Sequence, residues 1–409
     1  MSFQTTHTGS LPRPDDLLAL MFAREGGEAV DEGALDEAIE RATAHVLDRQ
    51  KRAGISVIGD GEMSKPSYAT YIKHRLAGFG GEAGQYEFED LEQFPGAKAR
   101  VFGDAGRSRR KAPACTAPIE VIDMDAPRED AERLTRLAAG HETFMSAASP
   151  GVTALFFPNQ FYASDEEYVF ALAEGLRHEY ETIAAAGITL QVDCPDLAMG
   201  RHVQFTHLST EEFRKRIGMN VAALNHALRN IPAEQLRMHL CWGNYPGPHT
   251  CDVDLGDIAD IVWSAKPQTV LLEGANPRHA HEFAYFEEHK LPDGKVLCPG
   301  MIEPQSPYVE HPELIAQRIG RYADVLGRER VMAGVDCGFS VHAGSGNLDP
   351  EVVWAKLAAL AEGAAIAAPS ASAASLAQTI SGSRLLLPAW TENPQSTPAI
   401  TRSRPSRSA

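Results

Sequence analysis

Apolar positions along the chain follow two alternating rhythms. Short, nearly continuous apolar runs occupy residues 55–59, 151–157, 188–192, 236–242, 269–273, 295–298 and 330–337, and a short extended segment covers 2–8. Between them lie longer stretches in which apolar residues recur every three to four positions. These predict helices over 17–52, 129–146, 166–186, 210–231, 257–263, 279–289, 312–326 and 349–367. In the first, Ile39, Ala42, Val46 and Leu47 share one face and the acidic residues take the other. Gly187 supplies the stop for the 166–186 helix.

Strands alternating with helical connections predict a parallel sheet with crossover helices. Eight strand units predict a (β/α)8 TIM barrel, an α/β fold, with a doubly wound open sheet as the runner-up. The barrel explains why so many polar residues follow or end strands. Its carboxyl-terminal mouth gathers such positions into one pocket. Two stretches break the rhythm. Residues 64–112, after the second strand, are irregular and rich in glycine and aromatic residues, which predicts a lid-like insertion. It contains the basic run Arg107-Ser108-Arg109-Arg110-Lys111. Residues 368–409 are rich in Ala, Ser, Pro and Thr without periodicity, which predicts a disordered C-terminal tail behind a barrel domain of residues 1–367.

Composition narrows the function classes. A formal charge of −17 argues against a nucleic-acid partner or an anionic membrane surface. No apolar run approaches the length of a membrane-spanning helix, and residues 1–7 lack the pattern of a signal peptide. Six cysteines scattered through 409 residues read as thiols or metal ligands, not as a disulfide framework. A cytoplasmic location is expected.

The chemistry centres on Met238-His239-Leu240-Cys241-Trp242. Residues i and i+2 of a strand point to the same side. His239 and Cys241 therefore offer an imidazole and a thiol to one small volume, and both are zinc donors. Taken singly, such a cysteine is more often a small buried hydrophobe. Two further donors end strand candidates, Glu273 after Thr269-Val270-Leu271-Leu272 and Cys337 after Gly334-Val335-Asp336. His239, Cys241, Glu273 and Cys337 are the expected ligands of one Zn2+ ion.

With these residues placed, residues 5–367 resemble the catalytic barrel of cobalamin-independent methionine synthase and its single-barrel relatives, epoxyalkane:coenzyme M transferase among them. The motifs carrying the resemblance are His7-Thr8-Gly9-Ser10-Leu11-Pro12, Gly61-Glu62, Gln191-Val192-Asp193, His239-Leu240-Cys241, Glu273 and Asp336-Cys337-Gly338. The resemblance implies zinc at the four donors. It also implies that Glu62 and Asp193 hold a substrate ammonium group, and that Gly9 and Ser10 lie against its carboxylate.

A thiol with a pKa of about 8.5 is mostly protonated at neutral pH and is then a poor nucleophile. Zinc binds it as the thiolate. Glu273, the hardest donor of a soft set, is the ligand expected to yield to the incoming sulfur. The reaction expected is transfer of an alkyl or methyl group to a small-molecule thiol. Methylated folate is one donor, with homocysteine or a similar amino thiol as acceptor. The chain departs from the family at one catalytic position. Where the methionine synthases have a histidine before Ser-Pro, the proposed proton donor, this chain has Gln305, which cannot titrate; His311 is the nearest substitute. The tryptophan that stacks on folate is also missing, and Phe156 and Phe157 stand near its place. Two alternatives follow. Coenzyme M could be alkylated by an epoxide, although two carboxylates would repel its sulfonate. A zinc-binding protein without catalysis would need all four ligands to stay closed.

Overall fold

The computed structural model describes residues 3–83, 88–103, 113–344 and 348–368. The basic run 107–111 and the tail from residue 369 lie outside the described residues. Nine strands are described. In chain order they are β1 (Val57–Gly59), β2 (Leu76–Gly80), β3 (Ala114–Val121), β4 (Glu142–Ala148), β5 (Thr189–Asp193), β6 (Leu236–His239), β7 (Thr269–Leu272), β8 (Val296–Ile302) and β9 (Gly334–Val335). Seven of them form one curled sheet in the order β1-β4-β5-β6-β7-β8-β9. Every pairing in it is parallel.

The eighth place in the ring belongs to the N-terminal segment. Thr5 bridges Ala333 in parallel. Thr6 N–H donates to the Ala333 carbonyl at 3.0 Å, and on the other side Val57 N–H donates to the Thr5 carbonyl at 3.0 Å. The segment thus joins the last strand to the first, and the backbone groups of both edges are paired. This is the (β/α)8 barrel expected from the strand-helix alternation.

Inside the barrel a buried arginine ties the staves together. Arg237 on β6 donates to Gln191 Oε1 (2.8 Å), Thr6 Oγ1 (2.9 Å) and the His7 carbonyl (2.7 Å). Its guanidinium lies 3.5 Å from the centre of the Phe144 ring on β4. The charge is tolerated because these partners replace water.

Four stretches differ from the sequence reading. Residues 151–157 are not a strand but most of the helix Pro150–Phe156, and the strand is the preceding Glu142–Ala148. A short run that is apolar all round fits a buried helix as well as a buried strand. Ser149 decides it, accepting from Val152 N–H as the cap, with Pro150 in the first turn. Similarly, the helix expected over 129–146 is Ala126–Ala138. It stops because Ala139 and Gly140 both turn left-handed, at φ 54° and 82°. The stretch 17–52 is two helices, Asp15–Glu25 and Glu32–Ala53, parted at Gly26-Gly27. The 64–112 insertion is more regular than expected. It contains β2, which pairs antiparallel with β3 as a ribbon beside the barrel.

Candidate metal centre

β5 and β6 are in register so that Asp193 faces His239, each the last residue of its strand. His239 Nδ1 lies 3.7 Å from Asp193 Oδ1, and Nε2 lies 3.3 Å from the Asp336 carbonyl. Burial works against a charged imidazole here. The Asp193 carboxylate, with Cys337 and Glu273 behind it, outweighs burial and pushes the ring up to about 9.

Cys241 lies just past the end of β6, where Leu240 N–H still reaches the Leu271 carbonyl at 2.9 Å. The chain then turns at Gly243 (φ 104°), whose N–H points at Cys241 Sγ from 3.1 Å. That sulfur is 3.6 Å from Cys337 Sγ and 3.8 Å from Glu273 Oε1. Donor atoms of His239, Cys241 and Cys337 all lie within 4.8 Å of one another. The structure therefore clusters three of the four donors expected from the sequence, and the fourth, Glu273, adjoins them at Cys241. Contact with Cys337, burial and the Glu273 charge hold the Cys241 thiol well above its ordinary value. Protonated thiols can donate across these contacts, whereas thiolates crowded in this way repel one another unless a cation sits among them. One nitrogen, two sulfurs and one carboxylate oxygen form a donor set that suits zinc.

Glu273 is held on both sides. Trp242 N–H donates to Oε1 (3.0 Å) and Asn276 Nδ2 donates to Oε2 (2.7 Å). Asn276 is fixed in turn by Asp336. The Asp336 carboxylate accepts from the backbone N–H groups of Gly274, Ala275 and Asn276, and from Asn276 Nδ2, each at 2.8 Å. Burial and the Glu273 charge push the Asp336 carboxyl up to about 6. Asp336 precedes Cys337 in the chain, so one residue locks the Glu273 loop to the Cys337 loop. The sequence reading quoted Asp336 without a role and missed Asn276; its spacing from Glu273 is no recognisable signal.

Glu62 and Asp193 share a buried neighbourhood. Ser146 Oγ donates to Glu62 Oε1 at 2.9 Å, whereas Glu62 Oε2 has no hydrogen-bond partner among the described residues. Burial first, and then the Asp193 charge, push the Glu62 carboxyl up to about 7. Asp193 Oδ1 accepts from Gln191 Nε2 at 2.7 Å. Gly9 sits against Glu62: a Cβ there would lie 2.5 Å from Oε1, and φ is 142°. Ser10 Oγ accepts from Ser340 N–H at 3.3 Å and lies under Gly338, next to Cys337. Gly9, Ser10, Glu62 and Asp193 thus border the donor set.

Gln305 and His311 are placed differently. Gln305 is half-buried, and its backbone N–H donates to Glu303 Oε1 at 2.8 Å. His311 is exposed and caps the helix Pro312–Leu326, its Nδ1 accepting from Glu313 N–H at 3.2 Å. No described contact brings either side chain to the donors. Phe157 is buried against Phe79, with ring centres 4.5 Å apart.

A parallel barrel with a nitrogen, sulfur and carboxylate donor set at its carboxyl mouth defines the class. Residues 3–348 match the family described as cobalamin-independent synthase, catalytic domain, and the chain belongs to that family. The methionine synthase of Thermococcus kodakarensis is 28% identical over 363 residues, 88% of this chain and 92% of that protein. That of Pyrococcus furiosus is 27% identical over 354 residues, 86% and 89% of the two chains. Two solved structures share the fold. A B12-independent methionine synthase from Shewanella, in complex with selenomethionine, superposes with a TM-score of 0.69 at 20% identity, covering 90% of this chain and 98% of that one. A protein from Listeria monocytogenes described as a putative vitamin-B12-independent methionine synthase gives 0.64 at 18% identity, covering 90% and 99%. No helix among the described residues is long and apolar enough to cross a membrane.

Proposed function

We propose that the chain is a zinc-dependent transferase that moves a methyl group onto the thiol of homocysteine or a closely similar amino thiol. The observation that carries this reading is the convergence of His239, Cys241, Glu273 and Cys337 beside the carboxylates of Glu62 and Asp193. Family membership and relatives named as methionine synthases support the same reaction. A zinc ion held by the four donors would keep a substrate thiol deprotonated and electron-rich at neutral pH.

The chain's own residues supply the rest. Asp336 and Asn276 hold Glu273 at the donor set. Glu62 Oε2, which accepts no hydrogen bond among the described residues and has the Arg13 guanidinium 3.9 Å away, is the acceptor for a substrate ammonium, and Asp193 adds a second negative charge nearby. Gly9 leaves room beside Glu62, and Ser10 stands near the Cys337 loop for the substrate carboxylate. Positioning the sulfur against the donor's methyl carbon contributes most of the remaining acceleration. Gln305 cannot give a proton to a leaving group. That is the feature favouring the second reading, alkylation of coenzyme M by an epoxide. The two carboxylates weigh against it, because they repel a sulfonate.

The deciding experiment is a screen of homocysteine, cysteine and coenzyme M against methylated folates and small epoxides, with products read by mass spectrometry. Methionine formed from homocysteine is the expected product. A thioether formed only from coenzyme M and an epoxide would replace this reading, and no alkylated thiol from any pair would reject both.

A further inference from the structure

A second cluster of metal-ligating side chains lies beside the first. Asp252 and His249 come from the loop after β6, His279 from the loop after β7, and His202 from the short helix Gly200–Val203 after β5. Three imidazole nitrogens face one carboxylate. His249 Nδ1 is 2.8 Å and His279 Nε2 is 2.9 Å from Asp252 Oδ2, and His202 Nδ1 is 3.0 Å from Oδ1. The three histidines are buried, His202 completely.

Neutral His279 and His202 can each donate to Asp252, but a neutral His249 cannot. His249 Nε2 lies 3.0 Å from the Tyr245 carbonyl. A carbonyl only accepts, so Nε2 carries the proton. In a neutral ring the Nδ1 lone pair then points straight at the carboxylate. An imidazole whose far nitrogen donates to a backbone carbonyl has the orientation typical of a metal ligand. Among the described residues His202 Nε2 has no hydrogen-bond partner, and the Glu282 carboxylate stands 4.0 Å from His279 Nδ1. Without a metal, His249 must be cationic to donate at both ring nitrogens, which buries an ion pair with Asp252. Neutral imidazoles with a shared divalent cation remove the facing lone pairs without that proton load.

We propose that His249, Asp252 and His279, whose donor atoms lie within 4.8 Å of one another, form a second metal site for a divalent first-row transition ion such as zinc, with His202 braced against the other oxygen of Asp252. Imidazole and carboxylate donors suit such ions. The site ties together the loops that follow β5, β6 and β7. It also braces the first centre: His279 stacks on Trp242 with ring centres 4.3 Å apart, and its Nε2 is 4.0 Å from Glu273 Oε2. Its existence does not depend on the methyl-transfer reading.

The test is cobalt titration of the full, metal-stripped chain. Two equivalents are expected. One gives the intense near-ultraviolet bands of sulfur-to-cobalt charge transfer, and the other gives only weak visible bands. Asp252→Asn and His249→Gln should each remove the second and keep the sulfur bands. Cys241→Ser combined with Cys337→Ser should remove the sulfur bands and still retain about one zinc per chain by elemental analysis. Circular dichroism identifies any variant that fails to fold, and the wild-type titration stands without variants. Binding of only the sulfur-banded equivalent to the wild type would overturn the proposal. So would an Asp252→Asn chain that keeps both equivalents. A wild type whose bound cobalt shows no sulfur bands would instead count against the thiolate centre.

Discussion

The sulfurs of Cys241 and Cys337 lie 3.6 Å apart, although 96 residues separate them in the chain. The first follows β6 and the second follows β9, so only closure of the barrel brings them together. Cys337 raises the cost of ionising Cys241, and a cation placed between them reverses that effect. Removal of either sulfur should therefore cost the chain its thiolate-bound zinc. Cys241→Ser and Cys337→Ser are each expected to lose about one zinc per chain. Elemental analysis of the purified variants checks this, and full retention in both would reject the centre.

Asn276 touches no proposed substrate, yet it bridges Glu273 and Asp336. Asn276→Ala should free Glu273 on one side and leave the buried Asp336 carboxylate short of a donor. Outer partners of metal ligands typically contribute about ten- to a hundredfold in affinity. Competition against a chelator of known strength should show a loss in that range. An unchanged zinc affinity would mean that Trp242 N–H alone holds Glu273.

Gly300 on β8 faces the Asp336 carboxylate so closely that a Cβ would fall 1.8 Å from Oδ1 and 2.6 Å from the Asp336 backbone nitrogen. The backbone atoms of two paired strands cannot step aside as a flexible side chain would. Gly300→Ala should destabilise the protein by about 1–3 kcal/mol or more, as overpacking of a full core does. Thermal unfolding should show a lower Tm, and zinc affinity should fall with it because Asp336 organises the Glu273 loop. A Tm equal to that of the parent would contradict this packing.

The Glu62 carboxyl, ordinarily near 4.5, is pushed up to about 7 by burial and by Asp193. It is largely neutral in mild acid and becomes an ammonium acceptor only as the pH rises through that value. The KM for homocysteine should therefore fall between about pH 6 and 8, while a thiol without an amine lacks this dependence. Glu62→Gln should flatten the profile. For stability the sign is opposite. The folded, metal-free chain binds this proton more tightly than the unfolded chain does. The resulting stabilisation is complete below about 4.5 and is lost as the pH rises through about 7. Urea unfolding of the metal-free parent and of Glu62→Gln across that window separates the two effects.

Acceptor choice turns on Asp193. Losing one partner of a charge-assisted contact typically costs about 1.5–3 kcal/mol. Asp193→Asn should thus lower kcat/KM for homocysteine roughly ten- to a hundredfold. Activity with coenzyme M, if any, should stay level or rise as repulsion is relieved. Steady-state rates with both thiols test this. A parent that uses only coenzyme M, and loses that activity in Asp193→Asn, would establish the epoxide reading instead.

Much of this protein is legible in its sequence because the relevant signals are local. Alternating apolar runs and amphipathic stretches carry the barrel, since element type follows from side-chain period and capping residues within a few positions. The donors at His239, Cys241, Glu273 and Cys337 are legible for the same reason: each follows a short apolar run, and a parallel barrel directs all such positions to one mouth. What stayed out of reach depends on contacts between distant segments. The run 151–157 reads equally as strand or helix, and Ser149 and Pro150 settle it only once the neighbouring β4 has taken the place in the sheet. His311 lies close in sequence to a catalytic position, but the helix it caps turns its ring to solvent. Asp252 and its three histidines come from three separate loops, with no spacing that marks them. Closure of the barrel sets these loops side by side and excludes water from them, and it is burial that makes their uncompensated charges and lone pairs significant.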